Sequence, residues 1–591
     1  MVARTALRRP SGRLDLGPPP RAGTGTRVTT GIALALTIVP LVVCAVALVV
    51  RFGGHYLPAG DIAGTEVHVR DVGHHPVLLG LFSRDRWNHP GPALFYLLAL
   101  PYRLSGSRSI SLHVGALLIN AASIVGIALV ARRHGRTVVM LLALVGCALL
   151  VHTFGPATMS SPWNPDVPVF PFALLLFLVW AMLCGDLWAL PVAAAVATFC
   201  VQTHIGYTLL ALPLLVFGTV WLVIATIRTH RNGRALARVG GIATAVVAAM
   251  WLPPVVQQLD HSSPEHHGNL GNIVFYFLHP IDPTRHTFAA GYRLMAGQFG
   301  AAPPWLTGHR AVGPFGVEPA LLTSAPLPVW LIPLALAGIV VWRQRDAAAQ
   351  WFALIVAAVV LLGVVWVART PGDVYAYRIG WTFVVAMVAF LVIAWAATTV
   401  ASKHFAAVRA LFVPACIAAL AVLGALNSFN AARVGSPQWP GIATLTRQVT
   451  AAIPPRGGDV ILRCAGFEGC LYHQGIFLAL EKRGLPVRTL TATLHVAADA
   501  EHLVHRRGPV RTNLIVSDNR DLYLQLAQPG ARLVAFWGRQ PRATIDEGVR
   551  QLTELDAKRS AGTVDPKTYA YVQGAIVNRL GNAVGVVEGA R

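Results

Sequence analysis

The chain is punctuated by apolar runs of about 20 residues whose interiors are almost free of charge. Nothing limits its fold more. Such a run crosses the bilayer core as a helix, and in lipid only helices and closed barrels satisfy every backbone N–H and C=O. About eleven segments qualify, near 30–51, 110–131, 137–156, 167–184, 187–204, 207–227, 239–257, 325–342, 349–369, 379–399 and 410–427. Charged residues make up only 13% of the 591, against about 25% in a soluble domain. The sequence predicts a polytopic α-helical membrane protein, with about eleven spans plus juxtamembrane helices.

In a soluble chain the net charge of +22 would suggest nucleic acid. Here the excess falls in short loops between apolar runs, where basic residues mark the cytoplasmic side, and this argues against nucleic acid as a partner. The segment 92–104 is short and is broken by Pro92 and Pro101. If it lies flat on the surface, Arg132/Arg133/Arg136, Arg228/Arg231/Arg234/Arg238, Arg343/Arg345 and Lys403/Arg409 all fall on one side. If it crosses, the later loops invert and the charge rule is broken repeatedly. The segment is therefore read as juxtamembrane. The expected organisation is a disordered basic cytoplasmic tail at 1–28, a membrane bundle at 29–429 and an extracytoplasmic domain at 430–591. The outer loops are placed at 52–109, 156–166, 258–324 and 370–378. The first apolar run lacks a small-residue cleavage pattern and reads as a retained span. A multi-pass protein of the cytoplasmic membrane follows, with its N-terminus inside.

The last part of the chain changes character. Asp459–Arg463, Val487–Leu490, Asn513–Ser517 and Arg532–Phe536 read as short strands, and Tyr472–Arg483 has helical spacing. This alternation predicts a small α/β domain, while 540–591 reads as polar and helical with a loose end. Cys464 and Cys470 lie close together in this polar region, and outside the cell a disulfide is their expected state. The other five cysteines fall in apolar segments and read as small buried hydrophobes. Trp439 and Trp537 offer sugar-stacking faces, with core packing the commoner use of such rings.

Titratable groups gather in one place, Gly60 to Tyr96, just after the first span. Asp61, Glu66, Asp71, Asp85, Arg70, Arg84 and Arg86 lie there with a run of histidines. Such groups beside a bilayer are costly unless they have work to do. A carboxylate at the membrane surface suits a general base on a hydroxyl, worth about 10²–10⁴ in rate. The plainer alternative is that these acids pair with the arginines and only fold the loop.

These residues resemble a known group. A first span, acids immediately after it, then Trp87-Asn88-His89-Pro90-Gly91-Pro92, an apolar Phe95–Leu100 and a span ending in Ala131-Arg132-Arg133 are similar to the GT-C glycosyltransferase superfamily. The nearest group is the family-39-like one: protein O-mannosyltransferases, aminoarabinose transferases and actinobacterial cell-wall transferases. Two departures stand out. The acids are five apart rather than nearly adjacent, and His-Pro-Gly-Pro replaces His-Pro-Pro. The resemblance implies a GT-C-like bundle that transfers sugar from a polyprenyl-phosphate donor to a hydroxyl of a glycan, lipid or protein acceptor of the cell envelope, with inversion. It places Asp61 as the catalytic carboxylate. Asp166, in Trp163-Asn164-Pro165-Asp166, falls in the slot of the family's second acid. Glu66 or Asp166 would position the acceptor or a divalent cation, Mg²⁺ or Mn²⁺ by the hardness of oxygen ligands, with Asp61 and Asp166 as its ligands. The developing phosphate charge calls for Arg70, Arg86, His89, His204 or Arg378. For Arg378 the plainer role is interfacial anchoring beside Tyr375 and Tyr377, and for Asp166 a dipole-favoured acid at a helix start.

A transporter or flippase of lipid-linked precursors is the main alternative, and a scaffold whose outer domain does the binding is a third. A transporter calls for charged or broken helices at mid-membrane, whereas the charges here collect in the loops. Walker-type loops, nucleotide fingerprints and HExxH are absent from the sequence. The histidines of the long loop, His261, His266, His267, His279, His286 and His309, match no zinc spacing.

Overall fold

In the computed structural model the described residues are 24–230, 232–260, 262–263, 266–308, 312–313, 315–318, 327–453, 459–489, 510–526, 528, 530–538, 540–580 and 583–588. The helices of the bundle region are α1 (Thr24–Phe52), α2 (Gly60–Asp71), α3 (Ala93–Leu104), α4 (Ser111–Met159), α5 (Val169–Leu183), α6 (Ala189–Thr203), α7 (Thr208–Thr229), α8 (Gly233–Asp260), α9 (Gly268–Leu278), α10 (Phe288–Gly297), α11 (Pro304–Thr307), α12 (Leu331–Gln344), α13 (Ala347–Arg369), α14 (Trp381–His404) and α15 (Ala406–Ala432). A two-residue hairpin, β1 (Ser262–Ser263) with β2 (His266–His267), lies between α8 and α9.

Among the described residues, seven helices are long and apolar enough to cross a membrane: α1, α4, α7, α8, α13, α14 and α15. Helix α4 runs to 49 residues because it holds two of the expected spans, joined at Arg136, where φ 59° and ψ −163° break the helical path. The runs expected at 167–184, 187–204 and 325–342 are the shorter apolar helices α5, α6 and α12. The last of these begins only at Leu331, and residues 325–326 lie outside the described set. Helix α1 starts at Thr24, inside the stretch expected as a basic tail, and residues 1–23 lie outside the described residues.

Apolar side chains such as Val50, Ile227, Ile332, Leu361 and Leu411 stand exposed on the bundle's perimeter, as lipid contact requires. Inside, the helices pack through small residues, as helices do where lipid removes the hydrophobic drive between them. A Cβ on Gly424 of α15 would lie 2.7 Å from the Leu36 carbonyl oxygen of α1, so glycine sets how closely these two helices meet.

Helix α3 has 12 residues, about 18 Å of rise and too little to cross a core of about 30 Å. It buries Phe95, Leu98 and Tyr102 and exposes Leu97, Leu100 and Leu104. The start of α4 lies beside α2 and the end of α1, with Ser109 on Glu66 and His113 on Tyr56, an arrangement that fits the juxtamembrane reading of 92–104.

The C-terminal region carries α16 (Ile442–Ala452), β3 (Asp459–Ala465), α17 (Phe467–Glu481), β4 (Val487–Thr489), β5 (Val510–Asp518), α18 (Asn519–Leu526), β6 (Arg532–Gly538), α19 (Arg542–Ser560), α20 (Pro566–Leu580) and β7 (Ala583–Glu588). The sheet order is β4-β3-β5-β7-β6, parallel through β4, β3 and β5 and antiparallel where β7 joins β5 and β6. Both faces are covered. Leu462, Val516 and Val586 face a core with α16 and α17, whereas Val587 and Phe536 face α18, α19 and α20. Strand β7 is the correction to the expected loose end: Ala583-Val584-Gly585-Val586-Val587 is buried in the sheet. Position 490, expected at the end of one strand, lies outside the described residues. Cys464 and Cys470 are disulfide-bonded, joining the end of β3 to the first turn of α17.

The domain's first core reaches across to the bundle loop. Ala59, Ala63 and Val67 of the α2 segment pack in one cluster with Ile442, Leu445, Ile476 and Leu480. Helix α2 is therefore shared by the bundle and the domain.

Candidate active site

A cavity of about 1100 Å³ opens between the bundle end and the domain. Its wall is drawn from α2, the loop after it, the α4–α5 and α6–α7 junctions, α9, the segment before α14, and α17. Of the expected site residues it gathers Asp61, His89, Asp166, His204 and Arg378. Glu66, Arg70 and Arg86 do not line it.

Asp61 is the second residue of α2. Gly60 precedes it with φ 55°, and a Cβ there would stand 3.3 Å from Leu471 of α17, so glycine serves both the left-handed turn and the close approach. The indole N–H of Trp163 donates to Asp61 Oδ2 at 2.7 Å. Burial raises the carboxyl above the usual aspartate value, and the Trp163 hydrogen bond opposes part of that rise. A carboxylate so placed is a stronger base than one in water.

The absence of Glu66 follows from helix geometry. Five residues along an α-helix turn the side chain roughly 140° from Asp61, and the nine to Arg70 turn it about half a circle. Glu66 is fully buried and its Oε1 accepts from Tyr102 Oη at 2.8 Å, Ser109 Oγ at 3.0 Å and Lys482 Nζ at 2.6 Å. Arg70 pairs with Glu481 at 3.1 Å. Both groups expected at the chemistry instead fasten α2 to α17. Arg86 sits with φ 69° in a reversal held by Ser83 N–H to the Trp87 carbonyl, and it is exposed. That turn points its neighbours Asp85 and Trp87 into the wall and leaves Arg86 outside it.

Arg378 occupies a short turn, Ala376–Ile379, ahead of α14. It pairs with Asp85 at 3.1 Å, and its Nε donates to Tyr377 Oη at 3.2 Å. Tyr377 in turn packs on Trp163 with ring centroids 5.0 Å apart. Asp61, Trp163, Tyr377, Arg378 and Asp85 thus form one continuous line along the wall, with a base at one end and an ion pair at the other. Arg84, stacked over Tyr375 at 4.3 Å, and Arg285 and Arg369 add positive charge to the same cavity. Arg285 and Arg369 make no ion pair among the described residues. They are the cations that sequence reasoning missed. Arg285 lay in a long loop with no motif, and Arg369 looked like the basic end of a span.

His89 and His204 lie side by side, ring centroids 4.8 Å apart. Burial, with the Arg378 charge added, lowers His89 to about 3, and burial with the charges of His89 and Arg378 holds His204 well below the ordinary value. Asp166 sits in the turn before α5, its N–H donating to the Trp163 carbonyl at 2.9 Å. Asp61 and Asp166 open on the same cavity. Among the described residues no three carboxylate, imidazole or thiol groups converge into a metal cage. The divalent cation expected from sequence would have as its ligands Asp61 and Asp166, which open on this same cavity. Of the long-loop histidines, His261 and His309 lie outside the described residues, and His286 Nε2 meets the Gly372 carbonyl at 2.8 Å. Trp439 and Trp537 both pack on the domain core, and Trp439 also lines the cavity.

No protein-family model matches the chain, and no curated protein matches it. Among solved structures it is similar to ArnT from Cupriavidus metallidurans in the apo state, with TM-score 0.51, 15% identity, and 86% of this chain and 96% of that one covered. The same protein bound to undecaprenyl phosphate matches with TM-score 0.50, 15% identity and the same coverage. At that identity the likeness speaks to fold: the chain has the ArnT-like, GT-C-like architecture expected from its sequence. A likeness to the Archaeoglobus fulgidus oligosaccharyltransferase in the apo form, with TM-score 0.32 and 13% identity over 75% of this chain and 64% of that one, carries no further argument.

Proposed function

We propose that the chain is a membrane glycosyltransferase that moves a sugar from a polyprenyl-phosphate donor to a hydroxyl of a cell-envelope acceptor, on the outer face of the cytoplasmic membrane. One observation carries the reading: a half-buried carboxylate, Asp61, shares a cavity at the bundle end with Arg84, Arg285, Arg369 and Arg378. The ArnT-like fold supports a lipid donor, since one ArnT structure is described as bound to undecaprenyl phosphate.

Asp61 takes the proton of the acceptor hydroxyl as its oxygen bonds to C1 of the sugar. The C1–O bond to phosphate breaks, the lipid phosphate leaves with that electron pair, and attack from the opposite side inverts C1. The cations offset the charge that gathers on the leaving phosphate. Asp166 and Trp163 border the same space, and we assign Asp166 to the acceptor side. The outer-face assignment rests on charge. Arg132, Arg133, Arg136, Arg228, Arg234, Arg343, Arg345 and Lys403 lie at the helix ends opposite the cavity, where positive charge marks the cytoplasm.

The test is incubation of the purified protein with a panel of polyprenyl-phosphate sugars and candidate acceptors, followed by detection of released lipid phosphate. One donor in the panel is expected to be turned over, and Asp61→Asn to cut the rate by at least about 10². Unchanged transfer by that variant removes Asp61 as the base. Vectorial movement of the lipid without bond cleavage would replace the reading with a flippase.

A further inference from the structure

Protonation decides what the two buried imidazoles in the cavity wall can do. A backbone N–H can only donate. The Ile205 N–H donates to His89 Nδ1 at 3.2 Å, and the Gly206 N–H donates to His204 Nδ1 at 3.2 Å. Each Nδ1 therefore presents its lone pair, and in a neutral ring the proton must sit on Nε2. One short turn, Ile205–Tyr207, fixes both rings through consecutive backbone groups. The turn is itself held by the Trp366 indole N–H, which donates to the Gly206 carbonyl at 2.6 Å. Gly206 is needed at this place, because a Cβ there would stand 2.9 Å from His204 Nδ1.

We infer that His89 and His204 form a paired neutral donor site for a phosphoryl group, each presenting an Nε2–H to an oxygen of the lipid carrier's phosphate. Neither Nε2 has a hydrogen-bond partner among the described residues, and both residues line the cavity. The guanidinium that acts on both rings is that of Arg378, which is paired with Asp85. Burial and that guanidinium keep both rings uncharged. The site is thus one cation and two neutral donors. A neutral imidazole donates without surrendering its proton to the departing phosphate, so the leaving group stays ionised. This assignment replaces the cationic role expected for the two histidines from sequence, and it rests on the transfer reading above.

The test measures binding of undecaprenyl phosphate, undecaprenol and inorganic phosphate to the purified full-length protein. The variants are His89→Phe, His204→Phe, His89→Gln and His204→Gln. Phenylalanine keeps the ring and deletes the donor, whereas the glutamine amide places an N–H near the Nε2 position. Each Phe variant is expected to bind undecaprenyl phosphate about tenfold more weakly, as for a hydrogen bond to a charged group. Each Gln variant should stay within about threefold of wild type, and undecaprenol binding should not change. Inorganic phosphate, bound more weakly but in the same order of variants, would also support the site and would show that the headgroup suffices. Should a Phe variant fail to fold, the shorter donor-misplacing His→Asn takes its part in the comparison. Folded Phe variants that hold undecaprenyl phosphate as wild type does, or Gln variants that lose as much as Phe, overturn the assignment while donor turnover leaves the transfer reading standing. Wild type that binds neither phosphate ligand overturns both.

Discussion

At the scale of single residues, the proposed transfer turns on how Asp61 is held between burial, which favours its neutral form, and one indole N–H, which favours its charged form. If Asp61 is the base, activity falls as pH drops through this raised value, and the acid limb lies above that of an ordinary aspartate. Trp163→Phe removes the opposing hydrogen bond. The carboxyl value then rises further, and the acid limb of the rate profile moves to higher pH. On the acid limb the rate is expected to fall on the order of tenfold relative to wild type, with the gap narrowing as pH rises. A profile that drops equally at every pH would mean that Trp163 only shapes the cavity. The place of Asp61 in the cavity was foreseen only through the family resemblance, since its spacing left open that the acids of this loop merely pair with the arginines. Trp163 was not, because its hydrogen bond joins residues about a hundred positions apart, and no local pattern marks a tryptophan as a donor to a particular carboxylate.

At the scale of elements, α2 carries the proposed base and α17 holds α2. The sequence placed a charge cluster beside the span but could not say which charges would meet, since the partners Glu481 and Lys482 lie more than 400 residues further on. Helical periodicity alone would have separated Asp61 from Glu66, the five-residue spacing having already set them on different faces. Glu66 is fully buried while its partner Lys482 is partly exposed. Lys482→Met leaves that carboxylate in a dry pocket with only hydroxyl donors, and removing one partner of a buried pair costs about 3–5 kcal/mol. The solvent reach of Lys482 puts the expected loss at the low end, about 3 kcal/mol, read as a lower midpoint of thermal unfolding in detergent. Adding Glu66→Gln to Lys482→Met should recover most of it, because the uncompensated charge is gone. If the double variant is no more stable than the single, the pair is not what ties α2 to the domain.

At the scale of the molecule, the order of the apolar helices was readable because apolar length is written directly in composition, although only seven of the described helices are long enough to cross a membrane; the closing strand of the domain was not. Strand β7 comes after two polar helices and inserts antiparallel between β5 and β6, so its place depends on partners formed much earlier in the chain. The same whole-chain logic fixes which end of the bundle holds the chemistry. Successive helices alternate between ends, and α2, the cavity and the disulfide-bonded domain share one end. The arginine-rich turns share the other. A lipid-linked donor, an oxidised cysteine pair and loops of balanced charge all suit the outside, and a single inversion of topology would make every one of them wrong together. Cysteines introduced at Ser436, beside the domain, and at Arg345, in the turn between α12 and α13, report the two ends; both positions are exposed. A membrane-impermeant maleimide on intact cells is expected to label Ser436→Cys and to reach Arg345→Cys only after permeabilisation. The reverse pattern would place Asp61 in the cytosol, where nucleotide sugars are at hand and no lipid-linked donor need be invoked.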